Sequence, residues 1–110
     1  MSLSAKARIE VYLPDVVEAA YAELLPAFQQ EFTYAFGGCT LVRDLEGSYL
    51  ARRGFVMRDR INLLYCDTPF DFERHFVTLS EYADELRDAT MRALAEEAVL
   101  IAVFSVYHAR

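Results

Sequence analysis

At 110 residues the chain has room for one domain, whose core can bury roughly two-thirds of the unfolded surface, so neither a disulfide nor a metal is needed to hold it. Hydrophobic residues make up 55% of it and the net charge is −6, which excludes a disordered segment and general nucleic-acid binding, since the latter needs a basic surface to displace counterions. No apolar run is long enough to span a bilayer, and Lys6 and Arg8 lead into alternation and not into the apolar stretch of a signal peptide. The expectation is a soluble, cytoplasmic protein with neither membrane nor nucleic acid among its partners.

In chain order, residues 5–13 alternate strictly: Ala7, Ile9, Val11 and Leu13 point one way, Lys6, Arg8, Glu10 and Tyr12 the other. That is the period of a strand with one buried face. Pro14 and Asp15 end it, Asp15 as a helix N-cap. The period then becomes helical over 15–35, with Val17, Tyr21, Leu24, Phe28 and Phe32 on one stripe. Pro26 falls inside the stripe and predicts a kink or a two-segment helix. Gly37 and Gly38 close that helix.

Residues 39–66 read as a long, irregular hairpin, with strands at 39–45 and 58–66, a tip at Arg52 to Gly54 and a bulge near Gly47. Gly54 suits the left-handed position of a three-residue turn. The register this sets places Cys39 and Cys66 on opposite faces, reduced and unbridged. Thr68 and Pro69 open a second helix over 69–95, Thr68 as N-cap and Pro69 as first helical residue. Its stripe runs through Phe72, Phe76, Leu79, Ala83, Leu86, Thr90 and Ala93. Residues 98–107 form a last strand with apolar residues on both faces.

The order β, α, β, β, α, β without repeats or linkers predicts a single ferredoxin-like α+β domain over residues 1–110, an antiparallel sheet with both helices on one face. The segments Gly37-Gly38-x-Thr40, Gly47-x-Tyr49 and Gly54-x-Val56 with Asp59, and Glu97-Ala98-Val99-Leu100 before the last strand, resemble a small bacterial family of unknown function. That resemblance implies the same ferredoxin-like fold and no catalytic residue; the family more often has Trp where this chain has Tyr49.

The residues offer no metal site and no cofactor site. Cys39 and Cys66 form no CxxC pair, and Asp71 with His75, one helical turn apart, would need further ligands. His108, near the end of the last strand, is expected to face solvent. Glu97 beside Glu96 could act as a general acid if its carboxyl were buried, or could simply solvate the turn. The arginines between residues 43 and 60 give that window a net charge of +2, against −6 between Asp67 and Glu97. Arg52, Arg53 and Arg58 could grip a small anion or an acidic protein surface, or could guard the hairpin edge against aggregation. Three functional readings follow. One is a homodimeric, non-catalytic binding or regulatory module; another is a small enzyme with its cleft between subunits, built from Glu97, Tyr49 and the hairpin arginines; the third is a purely structural partner of another protein. The homodimer is expected because one apolar row of the last strand must lie on the sheet face the helices leave open, together with Tyr12 and Leu64. Either that open face or the last strand itself would form the interface.

Overall fold

The computed structural model describes residues 3–15, 19–50, 56–94 and 100–109, with the backbone alone for residues 49, 50 and 56–59. Six elements follow one another: β1 (Leu3–Pro14), α1 (Ala19–Phe36), β2 (Thr40–Leu50), β3 (Val56–Asp67), α2 (Phe76–Leu94) and β4 (Leu100–Ala109). The strands form one sheet in the order β2-β3-β1-β4, with every neighbouring pair antiparallel. This is the expected ferredoxin-like arrangement. Among the described residues no helix is long and apolar enough to cross a membrane.

β1 is the inner strand from which the core is built. Ala7, Ile9, Val11 and Leu13 are completely buried, as their alternation requires. Leu64 and Cys66 of β3 lie beside them, Tyr21, Leu25, Phe28 and Phe32 pack from α1, and Leu79, Leu86 and Leu94 pack from α2. Each fully buried large aliphatic or aromatic chain contributes about 1.5–3 kcal/mol. Pro26 does not break α1, which runs as one helix through it. Leu64 therefore belongs to the core and not to the open face; Leu63 has the open-face parity instead, opposite Tyr12 and Val42.

The second crossover starts differently from its sequence reading. Thr68 is no helix cap: it is fully buried, and both its amide and its hydroxyl donate to the carbonyl of Ala7, at 2.8 and 2.9 Å. The amide of Ala7 in turn donates to Phe70 O at 2.9 Å. Residues 68–70 thus stay on β1, and helix α2 begins only at Phe76. Asp71 caps the turn over 72–75 that leads into the helix, its carboxylate accepting from the Arg74 amide at 3.0 Å.

The hairpin also departs from expectation. Residues 46–50 and 56–57 are not irregular turns but continue the ladder to the pair Leu50↔Val56. The register shift falls between Val42 and Leu45 and not near Gly47. There Arg43 and Asp44 together oppose Asn62, and Asp44 takes a left-handed φ of 63° that aspartate tolerates better than most residues. Asn62, only 1% exposed, holds the bulge. Its side-chain oxygen accepts from the Asp44 amide at 3.4 Å, and its amide donates to the hydroxyl of Tyr21 on α1. The predicted tip at Arg52 to Gly54 lies outside the described residues.

Replacing Asn62 by Leu leaves the Tyr21 hydroxyl and the Asp44 amide without this partner. We expect a loss of about 1–3 kcal/mol in urea unfolding, part of it recovered when Tyr21→Phe is added. A loss below about 0.5 kcal/mol, the usual range for surface changes, would show that Asn62 does not hold the bulge.

Candidate functional site

The two ends of the sheet differ in character. At one end β1 stops at the pair Pro14↔Ile61, and the Asp15 amide donates to Arg60 O at 2.9 Å. Beyond that point β2 and β3 continue alone as a two-stranded ribbon through the pairs Glu46↔Arg60, Gly47↔Asp59, Ser48↔Arg58, Tyr49↔Met57 and Leu50↔Val56. The radius of gyration, 15.1 Å, exceeds the roughly 13 Å of a compact chain of this length, as a projecting ribbon requires. Of the residues singled out in the sequence, Arg58 and Tyr49 occupy neighbouring but unpaired positions on this ribbon. Arg52 and Arg53 fall within 51–55, and Glu97 within 95–99, outside the described residues.

At the other end lies a polar depression of about 380 Å³, lined by Lys6, Cys39, Tyr65, Asp67, His108 and the Gly37–Gly38 turn, among others. Gly37 is required by its φ of 90° at the end of α1, where its amide still reaches Thr33 O at 2.9 Å. A Cβ on Gly38 would meet nothing within 4 Å. Asp67 organises the charges here. Its carboxylate accepts from Arg8 Nε at 2.7 Å and Nη2 at 3.1 Å, and its Oδ2 lies 2.9 Å from His108 Nε2. The Arg8 guanidinium also stacks 4.4 Å above the ring centre of Tyr65. The Arg8 hydrogen bonds, and to a lesser degree His108, hold the Asp67 carboxyl below the usual carboxylate range against the opposing effect of burial.

His108 is thus a half-buried partner of Asp67 and not a solvated terminal residue. Sequence reasoning missed this cluster because its contacts join residues 59 and 41 positions apart. The one available signal was parity: Arg8 and Asp67 are cross-strand partners on the face opposite the core. Cys39, whose Sγ lies 3.7 Å from Gln29 O and 3.9 Å from Thr33 Oγ1, faces α1. Cys66 is buried beneath the same helix layer, and burial pushes its thiol up to about 12. The two thiols are free, as expected, but the bulge returns the register so that they share a face instead of lying on opposite ones. Among the described residues no three of His, Cys, Asp and Glu are grouped so as to hold a metal ion. His75 Nδ1 contacts the backbone oxygen of Asp71 at 3.2 Å.

The sheet face away from the helices carries a charged row on β1, Lys6, Arg8 and Glu10. On β4 it carries the apolar row Leu100, Ala102, Phe104 and Val106, in register with Tyr12, Glu10, Arg8 and Lys6. Leu100 and Phe104 are 59% and 39% exposed.

No protein-family model matches the chain, and no curated protein matches it by sequence. Solved structures do match. CutA1 from Oryza sativa superposes with a TM-score of 0.61 at 15% identity, over 96% of this chain and 84% of that one. CutA from Synechococcus elongatus PCC7942 gives 0.56 at 14% identity, over 96% and 85%. CPII from Thiomonas intermedia K12, a nitrogen regulatory PII-like protein solved with ADP, AMP and bicarbonate bound, gives 0.54 at 14% identity, over 99% and 98%. At these identities the likeness establishes the ferredoxin-like fold, which is also what the resemblance to the small bacterial family implied.

Because the Asp67 carboxyl is more acidic in the folded chain than in the unfolded one, its contribution is present above about pH 3.9, the unfolded value, and is lost as pH falls through the lower folded value. Asp67→Asn is therefore expected to lower stability at pH 7 by about 1–2 kcal/mol. The gap to the wild type should close as the pH is taken below 4. A gap that stays constant between pH 7 and pH 3 would assign the loss to shape and not to charge.

Proposed function

We propose that the chain is a cytoplasmic, homo-oligomeric and non-catalytic binding or regulatory module, whose projecting ribbon grips a small anion or an acidic protein surface through Arg52, Arg53 and Arg58. The observation that carries this reading is the ribbon itself. A two-stranded arm runs on past Pro14↔Ile61 as far as Leu50↔Val56, and binding groups collect on such projections from a rigid scaffold. Arg58 is positioned opposite Ser48 on that arm, next to the Tyr49↔Met57 pair. Guanidinium groups pair bidentately with carboxylates and phosphates. The like-folded CPII was solved with ADP, AMP and bicarbonate, and an arginine ribbon suits ligands of that anionic class. Two free thiols suit a reducing cytoplasm.

Self-association, with the homodimer as its simplest closed form, draws on the open face. The apolar β4 row beside Arg8 and Glu10 leaves Leu100 and Phe104 in water, and a two-fold contact through that face or along β4 would cover them.

A thermal-shift series with ADP, AMP, bicarbonate, phosphate and a polyglutamate peptide tests the ribbon. At least one of these should raise the midpoint by several degrees, since a ligand at a hundred times its Kd adds about 2.7 kcal/mol. The shift should shrink in high salt and vanish in the triple variant Arg52→Ala, Arg53→Ala, Arg58→Ala. No shift with any of the five, or one that the triple variant retains, would overturn the ribbon assignment.

Light scattering during size-exclusion chromatography tests the assembly. Twice the chain mass is expected at micromolar concentration, falling to the monomer mass in Phe104→Glu. A monomeric wild type would remove the assembly, a higher multiple would replace the dimer with a larger ring, and a variant that stays assembled would move the interface off the open face.

A further inference from the structure

We infer that Cys39 and Cys66 form a site of reversible thiol oxidation, closing to a disulfide within one chain when a low-molecular-weight disulfide such as oxidised glutathione is present. The register is the first ground. At the foot of β2 the pairs are Leu41↔Leu64 and Thr40↔Tyr65, and continuing that register by one residue beyond the strand would set Cys39 opposite Cys66. Opposed residues of an antiparallel pair have Cα atoms about 4.5–5.5 Å apart, inside the roughly 4.4–6.8 Å span of disulfides. The second ground is the shared face. Cys39 Sγ points to Gln29 and Thr33 of α1, and Cys66 is buried beneath that layer beside Ile9. The third is access: both cysteines line the polar depression, where Cys39 is half-buried and Cys66 is 1% exposed. Cys39 is therefore the entry thiol and Cys66 the resolving one.

The chemistry balances in two exchanges. The Cys39 thiolate attacks one sulfur of glutathione disulfide, whose S–S bond breaks to release one glutathione thiolate and leave a mixed disulfide on Cys39. The Cys66 sulfur, once deprotonated, attacks the Cys39 sulfur and expels the second glutathione. Two cysteine thiols are oxidised, one external disulfide is reduced to two thiols, and the two cysteine protons pass to the departing thiolates. The second exchange is the slow one. Burial holds the Cys66 thiol protonated at neutral pH, with Cys39 and Asp67 as further groups that raise it; the Ile9 amide from β1 works the other way. Tyr82 of α2 faces the same thiol as a neutral phenol, itself held above its ordinary value by burial and by Glu31.

Closure would bond the residue next to the Gly37–Gly38 turn to the residue before Asp67. The oxidation state would thereby fix the edge of the depression and the start of the strand that becomes the ribbon.

The test follows intact mass after incubation of the native wild-type chain with oxidised glutathione. The expected sequence is a transient single glutathione adduct, then a species lighter than the starting chain by two hydrogens, reversed by dithiothreitol. The closure step should quicken about tenfold per pH unit between pH 7 and 9. Cys66→Ser should stop at the adduct, and Cys39→Ser should stay unmodified under native conditions. A stable adduct on the wild-type chain that never closes would overturn the inference. So would closure seen only after unfolding in urea, because the native register would then have failed to bring the sulfurs within reach.

Discussion

The hydrogen bonds of one buried amide set the geometry of both ends of this sheet. Asn62 faces the core from β3, where an unpartnered amide would be costly. It is satisfied from two directions, by Tyr21 on the helix above and by Asp44 on the neighbouring strand. The second bond is available only because β2 carries one residue too many at Arg43–Asp44. That extra residue separates two registers. On the inner side Leu41 and Cys39 are turned towards the helices; on the outer side the ladder continues in shifted phase into the ribbon. The helix layer, the strand bend and the phase of the arm are therefore coupled through a single side chain.

This coupling explains which parts of the fold could be read from the sequence. β1 was legible because nothing competes with its alternation: four buried residues and four on the other face leave one assignment. Helices α1 and α2 were legible from their stripes, although the stripe of α1 shifted from Leu24 towards Leu25, and that of α2 left Phe76 56% exposed and ran to Leu94. The outer hairpin was misread because Gly47, Ser48 and the arginines carry turn chemistry, while the cross-strand pairing that overrides it is a tertiary property. The bulge was anticipated in kind and misplaced in position, since its cause is a partner eighteen residues away. Thr68 and Pro69 had the local signature of a helix start. The carbonyl of Ala7, far off in the sequence, took the Thr68 hydroxyl instead.

The site was legible to a different degree. The arginine cluster stood out as composition, and the register pairs Arg58 with Ser48 on the ribbon. The Arg8–Asp67–His108 cluster left no local trace, because each member alone is an ordinary surface residue on an alternating strand. Only the pairing of β1 with both β3 and β4 assembles it. The cysteines illustrate the same limit: counting from the turn gave the right phase for the arm and the wrong one for its foot, because the intervening bulge is invisible to counting.

The inner position of β1 has a consequence for how the chain reaches this state. β1 precedes both of its partners in the chain, β3 on one edge and β4 on the other, with Leu3 opposite Ala109. Its apolar face can be covered by α1 early, but one of its hydrogen-bonding edges must wait for β4. Until then the nascent domain presents an open strand edge, the kind of surface that templates pairing with another chain. Lys6, Arg8 and Glu10 stand along that waiting strand. Arg8, which later joins Asp67 and His108, and its charged neighbours Lys6 and Glu10 are thus also placed where they discourage premature pairing during synthesis.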